Sequence, residues 1–225
     1  MRIALIILCS LIASGAAYST VTINLELGEL TTSASVAIPG GTLWALISED
    51  SSGNLPGGLL TDDSLYNNNN LATIASDFGG ATISTGSAIG GGYVVATGSS
   101  EISPAGDISQ TISVFDFAAA GLSSGDKLAI YWFPGRTTAS NTIPTTNFEI
   151  GGFHRTVANT PSGGTAGMVI PGDGATETLA YFDNNIVSTS GIAPTEFRAI
   201  AVPEPSTLLL LGTSSLLFIR RRRLR

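Results

Sequence analysis

The residues of this chain that could carry out covalent catalysis are few and far apart in sequence. Gly121-Leu122-Ser123-Ser124-Gly125 fits the G-x-S-x-G pattern of a serine nucleophile. That pattern needs a strand before the serine and a helix after it, so that the hydroxyl lies on a strained turn beside an oxyanion hole. Here a strand-like run comes after the serine, which favours a simple Gly-Ser turn. We therefore expect no enzyme activity from this motif.

The single histidine of the chain, His154, is the one side chain that could act as a base for Ser123. It comes directly after Gly151-Gly152-Phe153, a stretch typical of a strand. Zinc sites normally combine several His or Cys ligands, and none cluster around this position. A half-exposed histidine on a strand is the favoured interpretation.

Four carboxylates flank a loop rich in Asn, Ser and Gly. They are Glu49, Asp50, Asp62 and Asp63. Oxygen ligands of this kind suit Ca²⁺, although the spacing does not match an EF-hand loop and a solvated acidic loop is the favoured interpretation. Two of them could serve a glycosidase, but their separation in space cannot be deduced from sequence. Trp44 and Trp132 could stack on sugar rings, yet their apolar neighbours favour core positions.

These residues lie on or between segments that resemble β-strands. Val21–Leu27 alternates apolar and polar residues strictly, as a half-buried strand does. The later predicted strands are Thr42–Ser48, Tyr93–Thr97, Ile108–Phe117, Lys127–Phe133, Phe148–Val157, Glu177–Phe182 and Glu196–Val202. The segment Ala72–Ala75 is too short to classify, and no segment of the body has the length and period of a good helix. The pattern predicts an all-β fold, an antiparallel and jelly-roll-like β-sandwich, and does not separate it from a closed barrel.

The charge of the body excludes several partners. Residues 20–201 carry 4 basic and 16 acidic side chains, a net charge of −12. A surface this acidic argues against binding nucleic acid or anionic lipid. It suits an exported protein in solution, or one that binds divalent cations.

The N-terminus has the parts of a signal peptide. Arg2 precedes the apolar run Ile3–Ile12, and small residues around Ala17 come next. We expect residues 1–19 to be removed. The single cysteine, Cys9, lies within this segment, so the body of residues 20–201 has no disulfide and depends on its core.

The C-terminus, residues 202–225, combines three parts. Pro203-Glu204-Pro205 is followed by an apolar run, Ser206–Ile219, and by the basic cluster Arg220, Arg221, Arg222 and Arg223. As a helix the 14 residues of the run would be about 21 Å long, short against about 30 Å of bilayer hydrocarbon. We nevertheless expect a single transmembrane helix there, with the arginines holding the C-terminus in the cytoplasm.

This arrangement resembles the PEP-CTERM sorting signal of exported bacterial proteins. The resemblance implies recognition of Pro203, Glu204 and Pro205 by an exosortase, an integral-membrane enzyme of cysteine type that processes its substrates near the motif. It implies a precursor tethered to the inner membrane and a product at the cell envelope, the cell surface or the extracellular matrix. The resemblance implies a sorting pathway and implies nothing about the activity of the body.

The first hypothesis is therefore an exported protein with a structural or interaction role at the cell surface or in a polysaccharide matrix. It has no cofactor unless the loop carboxylates bind Ca²⁺. The alternative is a secreted carbohydrate-binding module or hydrolase with the same tag. A hydrolase requires a cleft with carboxylates of shifted pKa, and a sugar-binding module requires exposed aromatic rings.

Overall fold

A computed structural model gives the structure of most of the body. It describes residues 20–59, 64–68, 70–102, 106–115, 117, 121–154, 156–157, 165–166, 168–172, 174–181 and 198–204. Several predicted features lie outside these residues: the signal peptide 1–19, Asp62, Asp63, Pro205, the apolar run 206–219 and the four arginines 220–223.

The described part of the chain is built mainly from strands. These are β1 (Thr20–Leu27), β2 (Leu43–Ser48), β3 (Ala88–Ile89), β4 (Gly92–Ser99), β5 (Ile108–Phe115), β6 (Leu128–Phe133), β7 (Phe148–Phe153), β8 (Thr156–Val157), β9 (Thr165–Ala166), β10 (Thr176–Tyr181) and β11 (Ile200–Val202). A 3₁₀ turn, Pro56–Gly58, and two short helices, α1 (Leu65–Asn68) and α2 (Leu71–Phe78), separate β2 from β3. The prediction of an all-β class is confirmed in its coarse form, a mostly β chain with antiparallel sheets.

The larger sheet has six strands in the order β11-β7-β6-β2-β4-β3, and every neighbouring pair is antiparallel. Its centre is made by β2 and β6, two apolar runs in which all six residues are buried. Trp44 of β2 lies directly opposite Trp132 of β6. A strand that is apolar on both faces requires a covering layer on each side, and both layers are present.

The smaller sheet covers one face and has the order β10-β1-β5. The alternation predicted for β1 is confirmed, since Val21, Ile23, Leu25 and Leu27 are at most 1% exposed whereas Glu26 is exposed. These side chains join Trp44 and the other inward residues of the larger sheet in one core. Two sheets packed face to face through such a core are the essential element of the predicted sandwich.

One pairing departs from the predicted antiparallel pattern. β1 runs antiparallel to β5 but parallel to β10, with Thr22 opposite Thr176. Alternation of apolar residues reports which face of a strand is buried and carries no information on the direction of its neighbour. The sequence therefore predicted both strands but not their relative direction.

The second face of the larger sheet is covered by helices that the sequence did not predict. Ala72–Ala75 lies within α2, whose side chains Ile74 and Phe78 are fully buried against the sheet, with the Phe78 ring centroid 5.1 Å from that of Tyr131. Asn70 caps the helix by accepting a hydrogen bond from Thr73 N at 3.3 Å. Two turns of helix bury only one i, i+4 pair of side chains, too weak a pattern to recognise. Among the helices of the described residues, none is long and apolar enough to cross a bilayer.

Candidate functional site

The sorting motif begins where the edge strand of the larger sheet ends. β11 pairs with β7 through three residues, with Ala201 opposite Glu149 and Val202 opposite Phe148. Ile200 and Val202 are 7% and 2% exposed, and they point into the core on the helical side of the sheet. Pro203 is half-buried and Glu204 is exposed. The predicted strand Glu196–Val202 is confirmed at its end, since β11 ends at Val202, directly before Pro203.

Arg198 holds the segment before β11 against the rest of the body. Its Nε donates a hydrogen bond of 2.7 Å to the Ser33 carbonyl oxygen, and its Nη2 donates to the same oxygen. Its Nη1 donates at 3.2 Å to the hydroxyl of Tyr66 on α1, and the guanidinium carbon lies 5.0 Å from the centroid of that ring. One side chain thus joins the C-terminal segment to two other elements.

The loop that receives Arg198 is itself fixed to the larger sheet. Ser33 donates from Oγ to Glu149 Oε1 at 2.5 Å and from its backbone N–H to Oε2 at 3.2 Å. The Thr31 carbonyl oxygen accepts from Ala199 N at 3.0 Å and from Trp132 Nε1 at 3.1 Å. We call Thr31, Ser33, Tyr66, Glu149 and Arg198 the C-terminal clamp. It holds the segment that leads into β11 against the rest of the described body.

The residues beyond the clamp match a family model, the PEP-CTERM protein-sorting motif, over residues 201–223. The C-terminus is a PEP-CTERM sorting motif. The match begins inside β11 and includes Pro203, Glu204, Pro205, the apolar run and the four arginines. Neither a curated protein nor a solved structure matches the chain.

The PEP-CTERM motif identifies the chain as an exosortase-sorted, exported protein of the cell envelope or surface. In structural terms the motif has two parts. Its first residues belong to the sheet of the body, and its remainder lies beyond Glu204.

A second candidate site is a cavity of about 360 Å³ on the body. Its polar lining includes Glu49, Asp50, Tyr93, Ser123 and Asp126. Three of these residues were singled out from the sequence, Glu49 and Asp50 as loop carboxylates and Ser123 as a possible nucleophile. The fold brings them together. Tyr93 and Asp126 were missed as site residues, because the spacing between Asp50, Tyr93 and Asp126 gives no sign that the three segments meet.

The carboxylates of this cavity are already engaged by the protein. Asp50 Oδ1 accepts hydrogen bonds from Ser52 N at 2.8 Å and Asn54 N at 2.9 Å, and the backbone N–H of Asn54 is the main cause of its lowered pKa. Asp126 Oδ2 accepts from Ser123 N at 2.7 Å. Each carboxylate therefore stabilises the turn that carries it.

Glu49 is held by the neighbouring cation. Its Oε2 lies 3.1 Å from Lys127 Nζ without accepting a hydrogen bond in the described structure, so the contact is electrostatic. Lys127 Nζ donates instead to the Gly53 carbonyl oxygen at 2.8 Å. Within the described ranges no group of three or more His, Cys, Asp or Glu side chains is placed to hold a metal ion. The Ca²⁺ prediction also involves Asp62 and Asp63, which lie outside those ranges.

The serine and histidine candidates do not form a described catalytic pair. Ser123 lies in a turn between Gly121 and Gly125, whose φ angles are +75° and +92°, and β6 comes after it where a nucleophile elbow would have a helix. His154 is 1% exposed, so the prediction of a half-exposed histidine was wrong. Its Nδ1 is hydrogen-bonded to the Leu128 carbonyl oxygen, and the residue is not among those that line the cavity.

Both tryptophans are core residues, as the favoured interpretation held. Trp44 and Trp132 are each 0% exposed and cannot stack on a sugar from solvent. Tyr93, half-buried in the cavity wall, is the aromatic residue of the described structure that a ligand in this cavity could contact.

Proposed function

We propose that this chain is the precursor of a cell-surface or extracellular-matrix protein whose role is structural or one of interaction. The observation that carries the proposal is the sorting motif at residues 201–223, which begins inside β11 of a folded body. The chain is then the substrate of exosortase chemistry, and its own body needs no catalytic residue or cofactor.

The proposal divides the chain into three parts. Residues 1–19 act as a signal peptide, residues 20–201 form the body, and residues 202–225 form the tag. Residues 206–219 hold the precursor in the inner membrane and Arg220–Arg223 orient it. A jelly-roll-like sandwich is the proposed architecture, supported by the passages of the chain between the two sheets from β1 to β2 and from β4 to β5.

The test is to map the C-terminus by mass spectrometry on protein from the envelope and the medium of the native host. We expect residues after Pro203–Pro205 to be absent from the sorted product. A Pro203→Ala, Pro205→Ala double variant should accumulate with an intact tail, whereas Pro144→Ala, a control substitution within the body, should be sorted normally. Arg225 present in every fraction of the unmodified chain would contradict sorting by processing.

The cavity supports a second candidate function, a carbohydrate-binding module. A volume of about 360 Å³ with a polar lining and one accessible aromatic ring suits a sugar residue. Calorimetric titration with extracellular polysaccharide purified from the host tests it. Binding should be lost in Tyr93→Ala and kept in Tyr93→Phe, which retains the ring. Release of reducing ends from the same polysaccharide would favour a hydrolase instead.

The predicted Ca²⁺ site at Glu49, Asp50, Asp62 and Asp63 can be tested separately from the cavity. A rise in melting temperature with millimolar CaCl₂, reversed by chelator and absent in Asp62→Asn, Asp63→Asn protein, would support a calcium site at this loop. Equal melting curves with and without CaCl₂ would exclude it.

A further inference from the structure

We propose that Arg198 is a positioning residue for processing of the tail. By keeping Ile200–Val202 in the sheet, it confines cleavage to the peptide bonds from Pro203 onwards. The inference rests on the proposed sorting function for its biological meaning, but the structural claim can be tested without an exosortase.

The first step of the argument concerns what a processing enzyme must bind. Proteases and transpeptidases act on chain that is free of its own secondary structure, so a bond within a paired strand is cleaved only after local unfolding. In β11 that opening has to break the pairing with β7 and expose Ile200 and Val202, which are 7% and 2% exposed in the fold. Pro203 is half-buried and Glu204 is exposed, so access begins there.

The second step concerns what keeps β11 from opening. The strand has only three residues, lies at the edge of its sheet and is followed by Pro203, which has no N–H with which to extend the pairing. Pairing this short needs support from outside the strand. The described contacts supply it immediately upstream, at Arg198.

The third step concerns why an arginine serves here. Its guanidinium reaches Ser33 and Tyr66 together, through hydrogen bonds to the Ser33 carbonyl oxygen and the Tyr66 hydroxyl and through the face of the Tyr66 ring. Hydrogen bonds from a charged donor are stronger than neutral ones, and the planar fork fixes orientation as well as distance. Lysine could satisfy one of these acceptors but not hold the same geometry.

Limited proteolysis of the purified full chain, with intact-mass mapping of both ends, tests the claim directly. With proteinase K the unmodified chain should lose its tail but stop at Pro203 or later. Arg198→Ala should continue to be trimmed into residues 199–202, at a rate about tenfold higher or more, as expected for loss of charged hydrogen bonds. Arg198→Lys should lie between the two.

Two comparisons separate positioning from general destabilisation. Arg136→Ala removes an arginine that takes part in none of the contacts of the C-terminal clamp, and its fragment should end where that of the unmodified chain ends. Arg198→Ala protein that also carries Glu149→Cys and Ala201→Cys, opposite each other across β7 and β11, should regain the stop at Pro203 when oxidised, although Glu149→Cys removes a second residue of the clamp. Reductant should abolish that restoration.

The same variants in the native host connect the claim to sorting. Unmodified protein should end at Pro203 or later, and Arg198→Ala protein should show C-termini upstream of Val202. The inference would be overturned if the unmodified chain were trimmed to a C-terminus at Val202 or earlier. Identical fragments from all variants would also overturn it. An uncleaved tail in the host with the expected proteolysis pattern in vitro would overturn the sorting function alone.

Discussion

Asp107 lies near two other carboxylates, directly before β5, and its carbonyl oxygen accepts a hydrogen bond from Glu101 N at 2.7 Å. Burial raises its pKa, and the charges of Glu101 and Glu29 raise it further. A carboxyl whose pKa is raised by folding binds its proton more tightly in the native state, so the folded protein gains stability as the pH falls through that pKa towards the ordinary value of about 3.9. At neutral pH the ionised group is a cost.

Asp107→Asn should therefore raise the melting temperature at pH 7, and the gain should disappear below about pH 4. Thermal unfolding monitored by circular dichroism across this pH range measures the effect. A gain that is independent of pH would mean that charge is not its cause.

Asp50 should show the opposite pH dependence of stability in the same assay. Hydrogen bonds from backbone N–H groups, that of Asn54 first, lower its pKa. Its contribution to stability is present above the ordinary pKa and is lost as the pH falls through the lowered one. Asp50→Asn should lower the melting temperature at pH 7 and match the unmodified protein in strong acid. Parallel pH profiles for the two variants would contradict both assignments.

The buried hydroxyl of Tyr131 has a hydrogen-bond acceptor, the Pro56 carbonyl oxygen. Its ring is 0% exposed, its hydroxyl donates to the Pro56 carbonyl oxygen at 2.8 Å, and burial raises the pKa of the hydroxyl well above its ordinary value. Tyr131→Phe should lower the free energy of unfolding by about 1–3 kcal/mol, because it leaves that carbonyl unpaired. Urea unfolding measures the loss. Tyr93→Phe, at a half-buried position, should cost less than about 0.5 kcal/mol.

At the scale of elements, the pairing of β6 with β7 requires a glycine at position 151. Gly151 lies opposite Trp132, and a Cβ built on it would lie 2.0 Å from two atoms of the indole ring. Gly151→Ala should destabilise the body by about 1–3 kcal/mol and change the tryptophan fluorescence, because the indole has to move.

Gly172→Ala is the matched control for this substitution. Its Cβ would come no closer than 3.9 Å to the nearest atom, Ser124 Oγ. We expect no change above about 0.5 kcal/mol. Equal losses in the two variants would show that the packing of Trp132 does not set the effect.

The sequence predicted the strands better than it predicted what joins them. β2, β5, β6, β10 and β11 lie within or almost within their predicted ranges, because each is a short segment containing β-branched or aromatic residues between turns. The helical layer was missed since its longer helix has only eight residues. Arg198 carried one usable signal: it is among four basic residues in a body with sixteen acidic ones. Its hydrogen-bond acceptors, Ser33 and Tyr66, lie more than a hundred residues earlier in the chain, so the sequence alone does not identify them.

Of the two candidate sites, the sorting motif could be predicted from the sequence and the cavity could not. The sorting motif is local, a contiguous run readable without a fold, and its position directly after a strand was predicted and confirmed. The cavity is not local. Glu49, Asp50 and Ser123 were identified separately, but only the antiparallel order of the strands brings their loops to the same place, together with Tyr93.

At the scale of the whole molecule, the body should need β11 and nothing beyond it. A chain ending at Glu204 should unfold in one cooperative transition with the stability of the longer chain. Ending the chain at Ala199 removes the buried side chains of Ile200 and Val202, and should cost about 3 kcal/mol or more. Urea unfolding of the two truncated chains measures the difference. Equal stability would show that β11 is not part of the cooperative unit.

The parallel pair of β1 and β10 also sets the order of events during folding. An exported chain that crosses the membrane with its N-terminus first delivers β1 long before β10, because Thr22 pairs with Thr176. Contacts between residues this distant in sequence form late and slowly, and until then one edge of β1 has no neighbour. The smaller sheet therefore closes only when nearly the whole body has been translocated.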